Sequence, residues 1–77
     1  MIKKLHTCKI GEKLSVFQIL PSEISSKLLE MGFYCGKEIE ILYKAPFGDP
    51  LAVQVGDYIL SMRKNEAQFI EVETKLN

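Results

Sequence analysis

Few side chains in this sequence are equipped for chemistry, and their spacing limits what they can do. His6 and Cys8 form a His-x-Cys pair, and Met31 and Cys35 are further soft ligands of the kind transition metals prefer. A closed metal site takes about three or four ligands brought together. A single His-x-Cys near a terminus supplies two, so buried or merely tolerated thiols are the simpler reading and no metal is assigned. Nucleophilic catalysis needs a nucleophile, a base and an orienting group within reach. With one His in the chain and no partner motif, no such set exists, so the chain reads as non-enzymatic and no cofactor is implied. One arginine inserted at a phosphoryl group can assist its transfer, and Arg63 is the single arginine. It ends an apolar run beside Lys64, where pairing with Glu66 or another carboxylate is the plainer role.

Binding to other macromolecules asks for less. Ten basic and ten acidic residues give a net charge of zero, which argues against a nucleic-acid partner held by counterion release. Tyr34, Tyr43, Tyr58, Phe47 and Phe69 are not interleaved with basic residues, so they read as core or barrel rim rather than a stacking platform. Near-neutral charge also leaves the chain less protected against self-association. Cys8 and Cys35 form no CxxC, so a reducing, cytoplasmic setting is the simpler expectation, and no apolar run is long enough for a signal peptide or a membrane span.

These residues must be positioned by a single small domain. Its 77 residues, 47% apolar and 26% charged, suit a compact core and are too apolar for disorder. The run "KLSVFQIL" predicts a first strand over Leu14 to Leu20 with both faces buried, stopped by Pro21. "SEISSKLLEMG" predicts a helix of about three turns, with Ile24, Leu28 and Met31 at helical spacing, Ser22 as N-cap and Gly32 as the stop. In "KEIEILYK", after Gly36, Ile39, Ile41 and Tyr43 alternate with Glu38 and Glu40 as in a half-buried strand. "LAVQV" and "YILSM" flank Gly56-Asp57. A two-residue turn there sets Val55 against Tyr58, Val53 against Leu60 and Leu51 against Met62, with both apolar sets on one side. "KNEA" predicts a single turn capped by Asn65, and "FIEVE" a closing strand with Ile70 and Val72 on one face. Five short strands curl into a barrel to avoid exposing edges, with the helix over one side and the termini frayed, although the order of elements alone also permits an OB-type barrel or a small α+β sheet.

Several pieces together resemble the FeoA family of small ferrous iron transport proteins. They are "KLLEMGFYCGKEIEIL", "APFGDPLAVQV" and "YILSMRKNEAQFIEV". The pattern falls on Leu28, Leu29, Met31, Gly32, Gly36, Pro46, Gly48, Asp49, Pro50, Met62-Arg63, Ala67 and Ile70-Glu71-Val72. Cys35 stands where the family often has Pro, and Phe33 where Leu is usual. The resemblance implies a mostly β fold, an SH3-like barrel of about five strands with one short α-helix after the first strand. It also implies an accessory role toward FeoB, a membrane ferrous iron transporter with a cytosolic GTP-binding domain. The alternative it brings is a metal-responsive regulatory domain of the sort appended to iron-dependent repressors, which a chain without a DNA-binding helix pair disfavours.

An adaptor needs only an exposed patch with a few anchors. The expected contact residues are Phe47, Asp49 and Arg63 around the Pro46-to-Pro50 bracket, and Met31, Phe33 and Tyr34 at the end of the helix. Phe33 is the one of these with the stronger case for packing, since it follows the helix stop directly.

Overall fold

The computed structural model describes residues 1–75. Strands β1 (Ile2–Lys4), β2 (Lys13–Ile19), β3 (Glu38–Lys44), β4 (Leu51–Val55), β5 (Tyr58–Met62) and β6 (Ile70–Thr74) form one antiparallel sheet in the order β1-β6-β2-β3-β4-β5. Helices α1 (Ser25–Glu30) and α2 (Lys64–Ala67) and two 3₁₀ turns, Leu5–Thr7 and Pro46–Gly48, occupy the connections. The inner face carries Leu14, Val16, Ile39, Ile41, Val53, Val55, Ile70 and Val72, none more than 3% exposed.

The β4–β5 hairpin has the expected register, Val55 opposite Tyr58, Val53 opposite Leu60 and Leu51 opposite Met62. Gly56 takes φ 63 as the first central residue of the turn, a conformation that glycine alone adopts cheaply.

Elsewhere two bulges alter which faces are buried. In β3 the pairing passes from Ile41 opposite Val53 to Tyr43 opposite Ala52, so Leu42 is the extra residue. The slip sends Tyr43 to the outer face, 57% exposed, where uninterrupted alternation would bury it. In β2 the shift falls between Val16 and Gln18. Phe17 and Gln18 lie exposed, so β2 buries one face only and not both. Each bulge bends its strand, which helps the sheet curl around the core.

The amino terminus is not frayed. β1 pairs with β6, and the turn that follows it buries Leu5, with Cys8 buried just beyond. Lys3 donates to Glu12 at 2.7 Å, and Glu12 also accepts from the Lys9 backbone and the Thr74 hydroxyl at 3.0 and 3.3 Å. No ladder joins the edge strands β1 and β5. The segments leaving them, Leu5–Thr7 and α2, instead touch one another and close the barrel.

Both helices start differently from their sequence signals. The Ser25 hydroxyl accepts from the Ser22 N–H at 2.8 Å and Ser22 Oγ accepts from the Ile24 N–H at 3.3 Å. That tight serine turn occupies Ser22, and α1 begins only at Ser25. At α2 the N-cap position is Arg63 and not Asn65, with the Glu66 carboxylate reaching back to the Arg63 N–H at 2.8 Å. The end of α1 is as the sequence suggests. Gly32, at φ 107, donates to the Leu29 carbonyl at 3.0 Å, and Phe33 donates to the Leu28 carbonyl at 3.1 Å. That pair of bonds is a Schellman stop, in which the residue after the glycine packs back against the helix.

Candidate protein-docking surface

The bracket between β3 and β4 is built by residues with little conformational choice. Pro46 presets the first position of the turn, the Gly48 N–H donates to the Ala45 carbonyl at 2.8 Å, and the Ala45 N–H donates to the Pro50 carbonyl at 2.9 Å. The Asp49–Pro50 peptide is cis. Within this frame Phe47 adopts φ 67 and ψ 11 and is 100% exposed. A left-handed conformation costs a residue with a side chain about 1–2 kcal/mol, and an aromatic ring in water gains nothing from burial. Phe47 therefore carries both penalties, and among the described residues no contact offsets them.

Asp49 turns the other way. Its carboxylate accepts from the Lys64 N–H at 3.1 Å, at the first residue of α2, and lies 3.8 Å from the Arg63 guanidinium. A carboxylate beside the amino end of a helical turn satisfies an orphan donor. Asp49 thus ties the bracket to α2, and Arg63 leans on Asp49 rather than on Glu66. Beyond Arg63 opens a groove of about 620 Å³, lined by Pro21, Glu23, Ile24, Arg63, Glu66 and Phe69 among others.

The six expected contact residues do not form one surface. Phe47, Asp49 and Arg63 gather at the end of the sheet where Lys44, Leu51 and Met62 pair. Met31, Phe33 and Tyr34 lie at the other end, where a side chain on Gly32 would meet Tyr58 Oη at 2.7 Å. Phe33 is wholly buried and cannot be a contact, because the Schellman stop drives it into the core beside Leu28. Met31 is half-buried against the core. Tyr34 remains exposed, with the Lys37 ammonium 5.5 Å from its ring centroid. Sequence reasoning passed over Tyr43 and Ile59, 57% and 63% exposed on the outer face of β3 and β5. The signal for Ile59 was present: in "YILSM" it alternates with the residues that face the core.

The soft ligands are also dispersed. Cys8 is buried and Cys35 exposed. Burial pushes the Cys8 thiol up from its ordinary pKa. Among the described residues no three His, Cys, Asp or Glu side chains are grouped as metal ligands.

Among the described residues His6 Nδ1 is buried without a hydrogen-bond partner. Desolvation first, then the positive charges of Lys64, Lys4 and Lys44, hold its pKa below the ordinary 6.5. Below about pH 6.5 the unfolded chain therefore binds more protons than the folded one, and stability falls with pH down to the folded pKa. Glu12 and Glu38, whose pKa values lie below 4.5 because lysines donate to them, remain charged in the fold and contribute only at lower pH. The melting temperature should drop between about pH 7 and about pH 5.5, and His6→Gln should flatten that slope. A wild-type midpoint independent of pH in this range would contradict the assignment.

A six-stranded antiparallel sheet curled around one core has the build of an SH3-like barrel. Comparison narrows the class to a family: the FeoA domain model matches residues 3–74, and the chain belongs to the FeoA family. It is 42% identical to a FeoA-like protein from Clostridium acetobutylicum, with TM-score 0.91 over 99% of this chain and 90% of that one. The Stenotrophomonas maltophilia FeoA, solved in complex with zinc and described as a prokaryotic SH3 domain protein, is 29% identical with TM-score 0.82, over 92% of this chain and 89% of that one. A Porphyromonas gingivalis (strain ATCC BAA-308 / W83) Fe(2+) transport protein A/Fe(2+) transporter FeoB fusion protein is 36% identical over 73 residues. The match takes in 94% of this chain, which spans only 8% of the fusion protein's length.

Proposed function

We propose that this chain is a non-enzymatic accessory protein of ferrous iron uptake that docks on the cytosolic part of a FeoB-type, GTP-dependent transporter and biases its assembly or conformation. Membership of the FeoA family supports the iron-transport setting, and the joining of an A-type segment to FeoB in the P. gingivalis relative supports the partner. Its place is the cytoplasm, at the inner face of the membrane through the partner. Among the described residues no helix is long and apolar enough to cross a membrane.

The observation that carries the docking role is Phe47, fully exposed in a backbone conformation that disfavours it. Strain persists where the surroundings enforce it, and it concentrates at functional positions. Asp49, two residues on, brings the Arg63 guanidinium within 3.8 Å of the bracket that holds this anchor. Binding alters the transporter only to the extent that its states differ in affinity for this surface.

Phe47→Gly separates docking from folding. Glycine removes the ring and relieves the left-handed strain, so stability should hold or rise by about 0.5–1 kcal/mol. Affinity for the partner's cytosolic domain should fall about tenfold or more, as for a central aromatic anchor, and ferrous iron uptake in cells should fall with it. Calorimetric titration with that domain in its GDP and GTP-analogue states gives the readout. Unchanged binding and uptake would remove Phe47 from the docking surface.

A further inference from the structure

We infer that the free edge of β5 is a self-association surface whose partner is a second copy of this chain, added antiparallel about a two-fold axis at Leu60. This goes beyond the transporter-docking role and does not depend on it. β5 is the last strand of the sheet order, paired on one side only, with β4. Across a two-residue hairpin Val55 and Tyr58 exchange backbone bonds, so by alternation Ile59 and Ser61 turn their N–H and C=O groups away from β4. Among the described residues no other backbone group pairs with them.

Natural edge strands are blunted by charge, proline, a bulge or extreme shortness. The five residues of β5, Tyr58-Ile59-Leu60-Ser61-Met62, carry no charge and no proline, and their ladder to β4 runs without a shift. Ile59 is 63% exposed and Tyr58 42%. Such an edge is a template for strand addition.

The flanking charges select the added strand. Asp57 lies three residues before Leu60 and Arg63 three residues after it. An antiparallel copy with Leu60 opposite Leu60 places Ile59 opposite Ser61, Tyr58 opposite Met62, and Asp57 opposite Arg63, at both ends. Parallel addition would set like charges together. Asp57 is exposed, and the Arg63 guanidinium meets its own chain's Asp49 only at 3.8 Å, leaving its other nitrogens available to a second carboxylate. The Arg63 N–H is already held by Glu66 at 2.8 Å. The intermolecular ladder therefore ends at Ser61, with about four backbone bonds centred on the axis. The chain's net charge of zero raises no long-range repulsion between copies.

Sedimentation equilibrium of the full chain up to about 1 mM reads the association directly. Wild type should show a concentration-dependent monomer–dimer equilibrium, and Ile59→Lys should be monomeric throughout. Asp57→Arg and Arg63→Glu should each weaken the dimer on the order of tenfold, and the double reversal should recover most of that loss. Ile59 and Ser61 are exposed, so a melting curve matching wild type verifies the fold, and Ser61→Lys replaces Ile59→Lys should the latter fail that check. A wild type monomeric to the highest concentration, a dimer that survives both lysine variants, or a double reversal without recovery each overturns the inference.

Discussion

Phe33→Ala should cost the domain a large part of its stability. Phe33 is wholly buried, and truncating a buried Phe costs about 3–5 kcal/mol through lost transfer energy and the cavity left behind. A chain of 77 residues has a total stability of only about 4–12 kcal/mol at typical values per residue. The loss also spreads beyond the site, since Phe33 secures the end of α1 while its ring fills the space beside Leu28. Phe33→Leu, which keeps most of the volume, should cost about 1–1.5 kcal/mol. Urea unfolding of the three proteins measures the series, and a stable Phe33→Ala would mean that the core collapses into the vacated space.

Gly32→Ala is the second large effect, and it has two separable parts. At φ 107 an L-residue is strained whatever room it has, at about 1–3 kcal/mol. The added methyl would also meet Tyr58 Oη at 2.7 Å and Val55 Cγ1 at 3.1 Å. The tyrosine end is mobile enough to yield, so the expected total is about 2–3 kcal/mol. Tyr58→Phe removes the hydroxyl and should return its share of the steric loss, leaving the Val55 contact and the backbone part. A double-mutant cycle over Gly32→Ala and Tyr58→Phe isolates that coupling. Strict additivity would assign the whole cost to the backbone and the Val55 contact.

The parts of the fold that could be read from the chain were those set by local rules. The β4–β5 register follows from period-two alternation around Gly56-Asp57, and the end of α1 from a glycine after a helical run. That same stop carried the warning about Phe33, because the residue after a Schellman glycine customarily packs against the helix. What escaped notice depends on partners distant in sequence. Ile2–Lys4 is too short for a pattern and becomes a strand only because β6 offers a free edge. The bulge at Leu42 has no glycine or proline to mark it, so period-two alternation alone puts Tyr43 on the wrong face. At the candidate site the exposure of Phe47 follows from its turn, whereas the role of Asp49 rests on an acceptor bond reaching fifteen residues along the chain.

That bond makes the bracket one arm of a lever. Through Asp49, the turn that holds Phe47 up to solvent is fastened to the first residue of α2, and α2 in turn meets Leu5–Thr7 where the barrel shuts. The turn under Phe47 and the seam of the fold thus lie one carboxylate and one short helix apart.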